Sequence, residues 1–147
     1  MDKTILVVED EFGTAEVLQL MLEIEGYRAI VTSNGREALQ RIGTAVPDLV
    51  LADYMMPIMN GAQLGKALRA NPATAKVVIV IMSAADEAEV RREFDAYDAF
   101  LRKPYRLDEL VPLLARLLEP RGEAAGDTKF SLVDAVRNLL VPPKPAA

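Results

Sequence analysis

The residues able to do chemistry in this 147-residue chain are few in kind. There is no Cys and no His. Thiolate nucleophiles, disulfides, Cys-type zinc sites and imidazole bases are excluded at once. Carboxylates, hydroxyls, Lys and whatever hard cation they attract must do any work. Asp53 stands out among them. It ends the apolar run Leu49-Val50-Leu51-Ala52, and the loop Met55-Met56-Pro57-Ile58-Met59-Asn60-Gly61 follows shortly after. Glu9-Asp10-Glu11 closes a second apolar run, Ser83 a third and Lys103 a fourth. Each has a plain structural reading: Asp53 as a strand-end turn residue, Glu9 to Glu11 as a solvated acidic helix cap, Ser83 as an N-cap, Lys103 as a surface lysine.

The elements between them decide which reading holds. Ile5-Leu6-Val7-Val8 is a short β-branched run of the kind that forms a strand buried on both faces. Val17, Leu18, Met21, Leu22 and Ile24 follow at helical spacing, with Gly26 as the stop. Ala29 to Val31 predicts a second strand. Asn34-Gly35 predicts a turn, and Asn34 can cap a helix carrying Ala38, Leu39 and Ile42. Leu49 to Ala52 is the third strand. Leu64, Ala67 and Leu68 mark a helix that stops at Asn71-Pro72. Val77 to Met82 is the fourth strand, and Asp86 to Phe94 a short charged helix. Ala99 to Leu101 is a fifth strand. Asp108 to Leu118 is a fifth helix containing Pro112, where a distortion is expected.

Five strands alternating with five helices predict a parallel sheet with helices on both faces. In such sheets function gathers at the carboxyl ends of the strands. Glu9, Asp10, Asp53, Ser83 and Lys103 all fall there. Carboxylates crowded into one pocket repel, and one tends to take up a proton. A hard divalent cation relieves that, and Mg²⁺ prefers oxygen ligands.

In this order and at these strand ends, the motifs resemble the receiver domain of two-component response regulators. The motifs are Glu9-Asp10, Asp53 with Met56-Pro57 and Asn60-Gly61 behind it, Ser83-Ala84, and Lys103-Pro104. The resemblance runs from about Thr4 to Leu118. It implies a flavodoxin-like (βα)5 fold of class α/β, with Asp53 as phosphoacceptor for a histidine kinase or a histidine phosphotransfer protein. It further implies Mg²⁺ held by Asp10, Asp53 and the Met55 backbone carbonyl, with Glu9 acting directly or through water. Lys103, Ser83 and the Ala84 backbone N–H would bind the phosphoryl group. Ser83 and Phe100 would form the switch that reshapes the face of helix four, strand five and helix five. The Lys103-Pro104 peptide is expected to be cis. The protein would be a phosphoacceptor and not an enzyme in the ordinary sense.

Three departures from the family pattern are visible. The segment Ser83 to Lys103 is shorter than expected, and Ala96-Tyr97-Asp98-Ala99 stands where Gly-Ala usually precedes strand five. Glu9 replaces a commoner Asp. Asn60 replaces a common Asp, with little expected effect on the chemistry.

The remaining expectations concern output. Residues 1–119 form the receiver domain, and 120–147 a linker with a C-terminal amphipathic helical extension, without a separate effector domain. Leu132, Val133, Val136, Leu139 and Leu140 carry the helical spacing of that extension. Spare apolar surface there and on helix five favours docking in cis or in trans, including a homodimer through the extension or the helix four, strand five, helix five face. Output would pass to a downstream protein partner or a phosphorelay. The net charge of −5 argues against broad nucleic-acid binding. No apolar run is long enough to span a bilayer, so a cytoplasmic location and no membrane insertion are expected. Two other readings compete. One is a phosphorylation-independent pseudo-receiver acting as an interaction or dimerisation module. The other is an Asp-nucleophile phosphohydrolase, disfavoured because Met55 stands where a second Asp would be needed.

Overall fold

Each apolar run forms a strand, and each strand is followed by a helix. The computed structural model describes residues 2–119. The linker and helical extension expected over 120–147 lie outside the described residues. The order is β1 Thr4–Val8, α1 Phe12–Ile24, β2 Arg28–Thr32, α2 Gly35–Thr44, β3 Leu49–Asp53, α3 Gly61–Ala70, β4 Val78–Ser83, α4 Glu87–Glu93, β5 Ala99–Arg102 and α5 Leu107–Leu118. All strand pairs are parallel, in the spatial order β2-β1-β3-β4-β5. The chain runs outward from β1 to β2, then returns to place β3 on the other side of β1. That reversal opens a crevice beyond the carboxyl ends of β1 and β3.

Alternation along the strands divides the core in two. Ile5 and Val7 of β1 face α1 and α5, with Leu18, Leu22, Leu110 and Leu114. Leu6 and Val8 face the other way, with Ala38, Ile42, Leu64, Leu68 and Val90 of α2, α3 and α4. β3 is buried along its whole length. Its place at the centre of the sheet explains why the sequence there is a continuous apolar run and not an alternating one.

Local signals in the chain set the helix ends. Asn34 accepts from the Glu37 N–H at 2.9 Å. Asn60 and Gln63 form a reciprocal capping box at the start of α3. Gly26 ends α1 with φ +93°, where an L side chain would be strained.

The extent of β4 and the place of Val17 differ from the sequence reading for physical reasons. β4 begins one residue later and takes in Ser83, because the Lys103 N–H donates to the Ser83 carbonyl at 2.8 Å and prolongs the β4–β5 ladder. Val17 does not join the core; it is 56% exposed, and Ala15 takes the inward position on α1. Pro112 lies within α5, so the Asp108 carbonyl lacks its helical donor.

Asp98 and Arg69 account for the missing Gly-Ala before β5. The Asp98 carboxylate accepts from the Ile79 N–H at 2.8 Å and pairs with Arg69 at 2.9 Å. Arg69 also donates to the carbonyls of Ala75, Val77 and Ala96. One guanidinium thus ties the end of α3 to the short connection before β5.

Gly61 has a distinct task. A Cβ there would stand 2.6 Å from the Asp53 carbonyl oxygen and 3.1 Å from Tyr54 Cα, both backbone atoms that cannot yield. The substitution Gly61→Ala is expected to cost about 1–3 kcal/mol, as overpacking does. Gly43→Ala, in an open position on α2, should instead stabilise by up to about 1 kcal/mol. Urea denaturation of the two variants checks both signs.

Candidate functional site

β1 and β3 lie side by side, with Val8 opposite Ala52. The residues just past that register therefore meet. Glu9, Asp10 and Asp53 each offer a carboxylate oxygen, and these oxygens lie within 4.8 Å of one another. Glu9 and Asp53 are buried and Asp10 is exposed. Glu9 is held by the sheet itself, since its N–H donates to the Thr32 carbonyl at 3.0 Å.

Lys103 arrives from the far side of β4. Its ammonium donates to Asp53 Oδ2 at 2.9 Å and to Glu9 Oε2 at 3.4 Å. The Lys103-Pro104 peptide is cis. Ser83 is fully buried at the end of β4, and its Oγ accepts from the Ala85 N–H at 2.9 Å. That leaves its own O–H to donate. The Met55 N–H donates to Asp53 Oδ1 at 3.2 Å and helps aim the carboxylate. The loop continues through Ile58, which is exposed and has φ +70°. A β-branched residue in that region stores roughly 1–2 kcal/mol of strain.

The electrostatics follow from crowding. Burial, and then the charge of Asp53, raise Glu9 from its ordinary value of 4.5 to about 7 against the opposing pull of Lys103. Burial works against the Lys103 ammonium, but the hydrogen bond and charge of Asp53 and the charge of Glu9 more than offset it, so Lys103 is raised. The site holds more negative charge than one lysine neutralises, which fits a divalent cation with oxygen ligands. Glu9, Asp10 and Asp53 are the side chains that could hold it.

All five strand-end positions read from the sequence converge on this edge of the sheet. Phe100 lies further off. It is half-buried against the α2, α3 and α4 core, and its ring stands 6.1 Å from that of Tyr97. Tyr97 in turn contacts Phe94 at 6.3 Å. Tyr54 and Glu93 gave no signal in the sequence, and Asn60 drew notice there only as a replacement for Asp. Tyr54 Oη donates to Glu93 at 2.6 Å, and Asn60 Nδ2 donates to the same carboxylate at 3.1 Å. Their partner is thirty-odd positions away in the chain, so nothing local marks them.

Beside Lys103 a groove of about 720 Å³ opens between α1 and the start of α5, lined by Thr14, Val17, Leu18, Pro104, Tyr105 and Leu107 among others. Phe12 and Leu20 on α1 are also largely exposed.

Comparison with known proteins places this geometry. The family model of the response regulator receiver domain matches residues 5–115. The chain is similar to the phosphate regulon transcriptional regulatory protein PhoB of Pseudomonas aeruginosa, with 32% identity over 96% of this chain and 61% of that protein. It spans about three fifths or less of the length of the curated relatives it matches first. Among solved structures it resembles the signal receiver domain of a signal transduction histidine kinase from Syntrophus aciditrophicus. That likeness has a TM-score of 0.76 and 29% identity, covering 86% of this chain and 99% of the other. It also resembles TrrA of Thermotoga maritima, crystallised in complex with Mg²⁺-BeF. There the TM-score is 0.72 and the identity 31%, over 79% of this chain and 99% of the other.

A pH signature follows from Glu9. Its raised value means that the folded protein binds a proton more tightly than the unfolded chain does. That stabilisation is complete below pH 4.5 and is lost as the pH rises through about 7. Metal-free protein should therefore lose roughly 1–3 kcal/mol of stability across that window. Glu9→Gln should flatten the slope, and saturating Mg²⁺ should oppose the loss at the upper end. Chemical denaturation at a series of pH values, with and without Mg²⁺, checks this.

Proposed function

The chain belongs to the response regulator receiver domain family, and on that premise we propose that it accepts a phosphoryl group on Asp53 from a histidine kinase or a histidine phosphotransfer protein. The observation that carries this reading is the placement of Asp53. Its carboxylate lies within 4.8 Å of those of Glu9 and Asp10 and within hydrogen-bond reach of Lys103.

Asp53 is the nucleophile. A carboxylate oxygen attacks the phosphorus of the donor as the P–N bond to imidazole breaks and that nitrogen takes a proton. An acyl phosphate results. Mg²⁺ would be held by Asp10 and Asp53, with Glu9 and the Met55 carbonyl as further oxygens. Bound there, it would offset the charge of phosphoryl and carboxylate oxygens.

The protein's own groups do the rest by position. Lys103 moves its hydrogen bond from Asp53 Oδ2 to a phosphoryl oxygen, remaining a compact cation on the developing charge. Ser83 donates its free O–H to a second oxygen, with the Ala84 N–H beside it. Charge-assisted hydrogen bonds of this type contribute about 1.5–3 kcal/mol each. A few of them reach the ~5.5 kcal/mol that moves a two-state population from 1:99 to 99:1. Phe100, half-buried beside Tyr97, would move into the space that Ser83 vacates. The groove beside Lys103 supports a docking place for the donor, because it is lined by Lys103, which donates to Asp53, and by the exposed Val17.

With Mg²⁺ and a small-molecule phosphodonor, intact-mass spectrometry should show gain of one phosphoryl group. Asp53→Asn should show none. Lys103→Met should slow the gain by on the order of 100-fold, as loss of one oriented charge partner does. A wild type that takes up no phosphoryl group and binds no beryllofluoride would instead be an interaction module indifferent to phosphorylation.

A further inference from the structure

Helix α4 is sparsely anchored for an element beside the site. It has seven residues, of which Val90 alone is buried. The Asp86–Arg102 ion pair ties its first turn to β5 at 2.8 Å, but both side chains are mostly exposed. Pairs of that kind contribute little. Its last residue is held differently. One Glu93 oxygen accepts from Tyr54 Oη at 2.6 Å and the other from Asn60 Nδ2 at 3.1 Å.

Both donors stand on the frame of the Asp53 loop. Tyr54 directly follows Asp53. Its N–H donates to the Met82 carbonyl at 2.8 Å, and its carbonyl accepts from the Gly61 N–H at 3.0 Å. Asn60 uses its Oδ1 to cap α3, accepting from the Gln63 N–H at 2.8 Å. Its amide nitrogen remains for Glu93. The hydrogen bonds from Tyr54 and Asn60 lower the Glu93 carboxyl below its ordinary range, and the same contact pushes Tyr54 up to about 12. Between this contact and the acids lies a cleft of about 420 Å³, lined by Asp10, Tyr54, Met55, Asn60 and, from α4, Glu89. The helix therefore forms one wall of the space next to Asp10.

We propose that Glu93 is a positioning residue that couples α4 to the Asp53 loop through Tyr54 Oη and Asn60 Nδ2. A change at Asp53 then alters the placement of α4, and the surface it offers a partner, by a route separate from Ser83 and Phe100. This rests on the phosphoacceptor reading for its trigger, whereas the contact itself does not. An Asp at position 60 would keep the α3 cap but set a second carboxylate against Glu93. The amide lets one side chain serve both elements. Coupling of this kind is reciprocal: a partner that grips α4 must change the affinity of the site for the phosphoryl group by the same factor.

The test is hydrogen–deuterium exchange across residues 87–93 in wild type, Tyr54→Phe, Glu93→Ala and Asn60→Asp, with and without Mg²⁺ and beryllofluoride. Without ligand, the variants should exchange on the order of tenfold faster in α4, with β3 and β4 unchanged. With beryllofluoride, the α4 response of the wild type should be lost in Tyr54→Phe while protection around Asp53 still rises. If Glu93→Ala fails to fold, Tyr54→Phe, which loses a single oxygen, and Asn60→Asp decide the matter. Unchanged α4 exchange in the folded variants, or a wild-type α4 response in Tyr54→Phe, would overturn the proposal. A wild type in which beryllofluoride alters nothing around Asp53 overturns the phosphoacceptor reading and the triggered half of the proposal. The unliganded comparison then still judges the contact.

Discussion

Three carboxylates crowd one another at the carboxyl edge of the sheet, two of them paired with a single lysine, and the rest of the structure is arranged to keep them there. Glu9, Asp10 and Asp53 would separate if they were free to move. They are not free, because β1 and β3 are paired in register and β3 is buried on both faces. Lys103 reaches Asp53 and Glu9 because the β4–β5 ladder extends as far as Ser83 and Lys103. The energy that holds the acids together is therefore apolar burial in two cores, not attraction within the site. The mismatch of charge that remains makes the site receptive to a divalent cation.

The supports of the site are steric as well as electrostatic. Gly61 lets α3 start against the backbone of Asp53 itself. Gly65 does the same one turn later, where a Cβ would meet the ring of Phe94. Phe94 continues through Tyr97 to Phe100 as a chain of ring contacts. The polar contact of Tyr54 and Asn60 with Glu93 runs beside that chain. The end of helix α4 thus meets α3 by an apolar contact and the Asp53 loop by a polar one, while most of the helix's own surface faces solvent. Sub-ångström changes at a packed site can reach a distant face in this way because packed elements have discrete arrangements.

Much of this was legible in the sequence because it is local. Strand-end carboxylates, the Asn34 cap, the Gly26 stop and the Asn71-Pro72 break are each written in a few adjacent residues. The alternation of strand and helix then fixes which strand ends are neighbours. What was not legible depends on long-range partners. Asn60 read as a near-neutral replacement of Asp, yet its amide donates to a helix thirty-three positions on. Asp98 read as part of an irregular connection, yet it caps an N–H of β4 and holds Arg69. Val17 read as core from its spacing, but the sheet face accommodates Ala15 instead. Ile58 carries a positive φ that its residue type gives no reason to expect.

Asp53, among the three clustered acids, is the group proposed to become an acyl phosphate. Borohydride reduces an acyl phosphate to an alcohol and so converts a phosphorylated Asp to homoserine. The protein should be treated with Mg²⁺ and phosphodonor, reduced, digested and mapped by mass spectrometry. Homoserine at position 53 alone is the predicted result. Homoserine at position 10, or no conversion in protein that has gained a phosphoryl group, would contradict it.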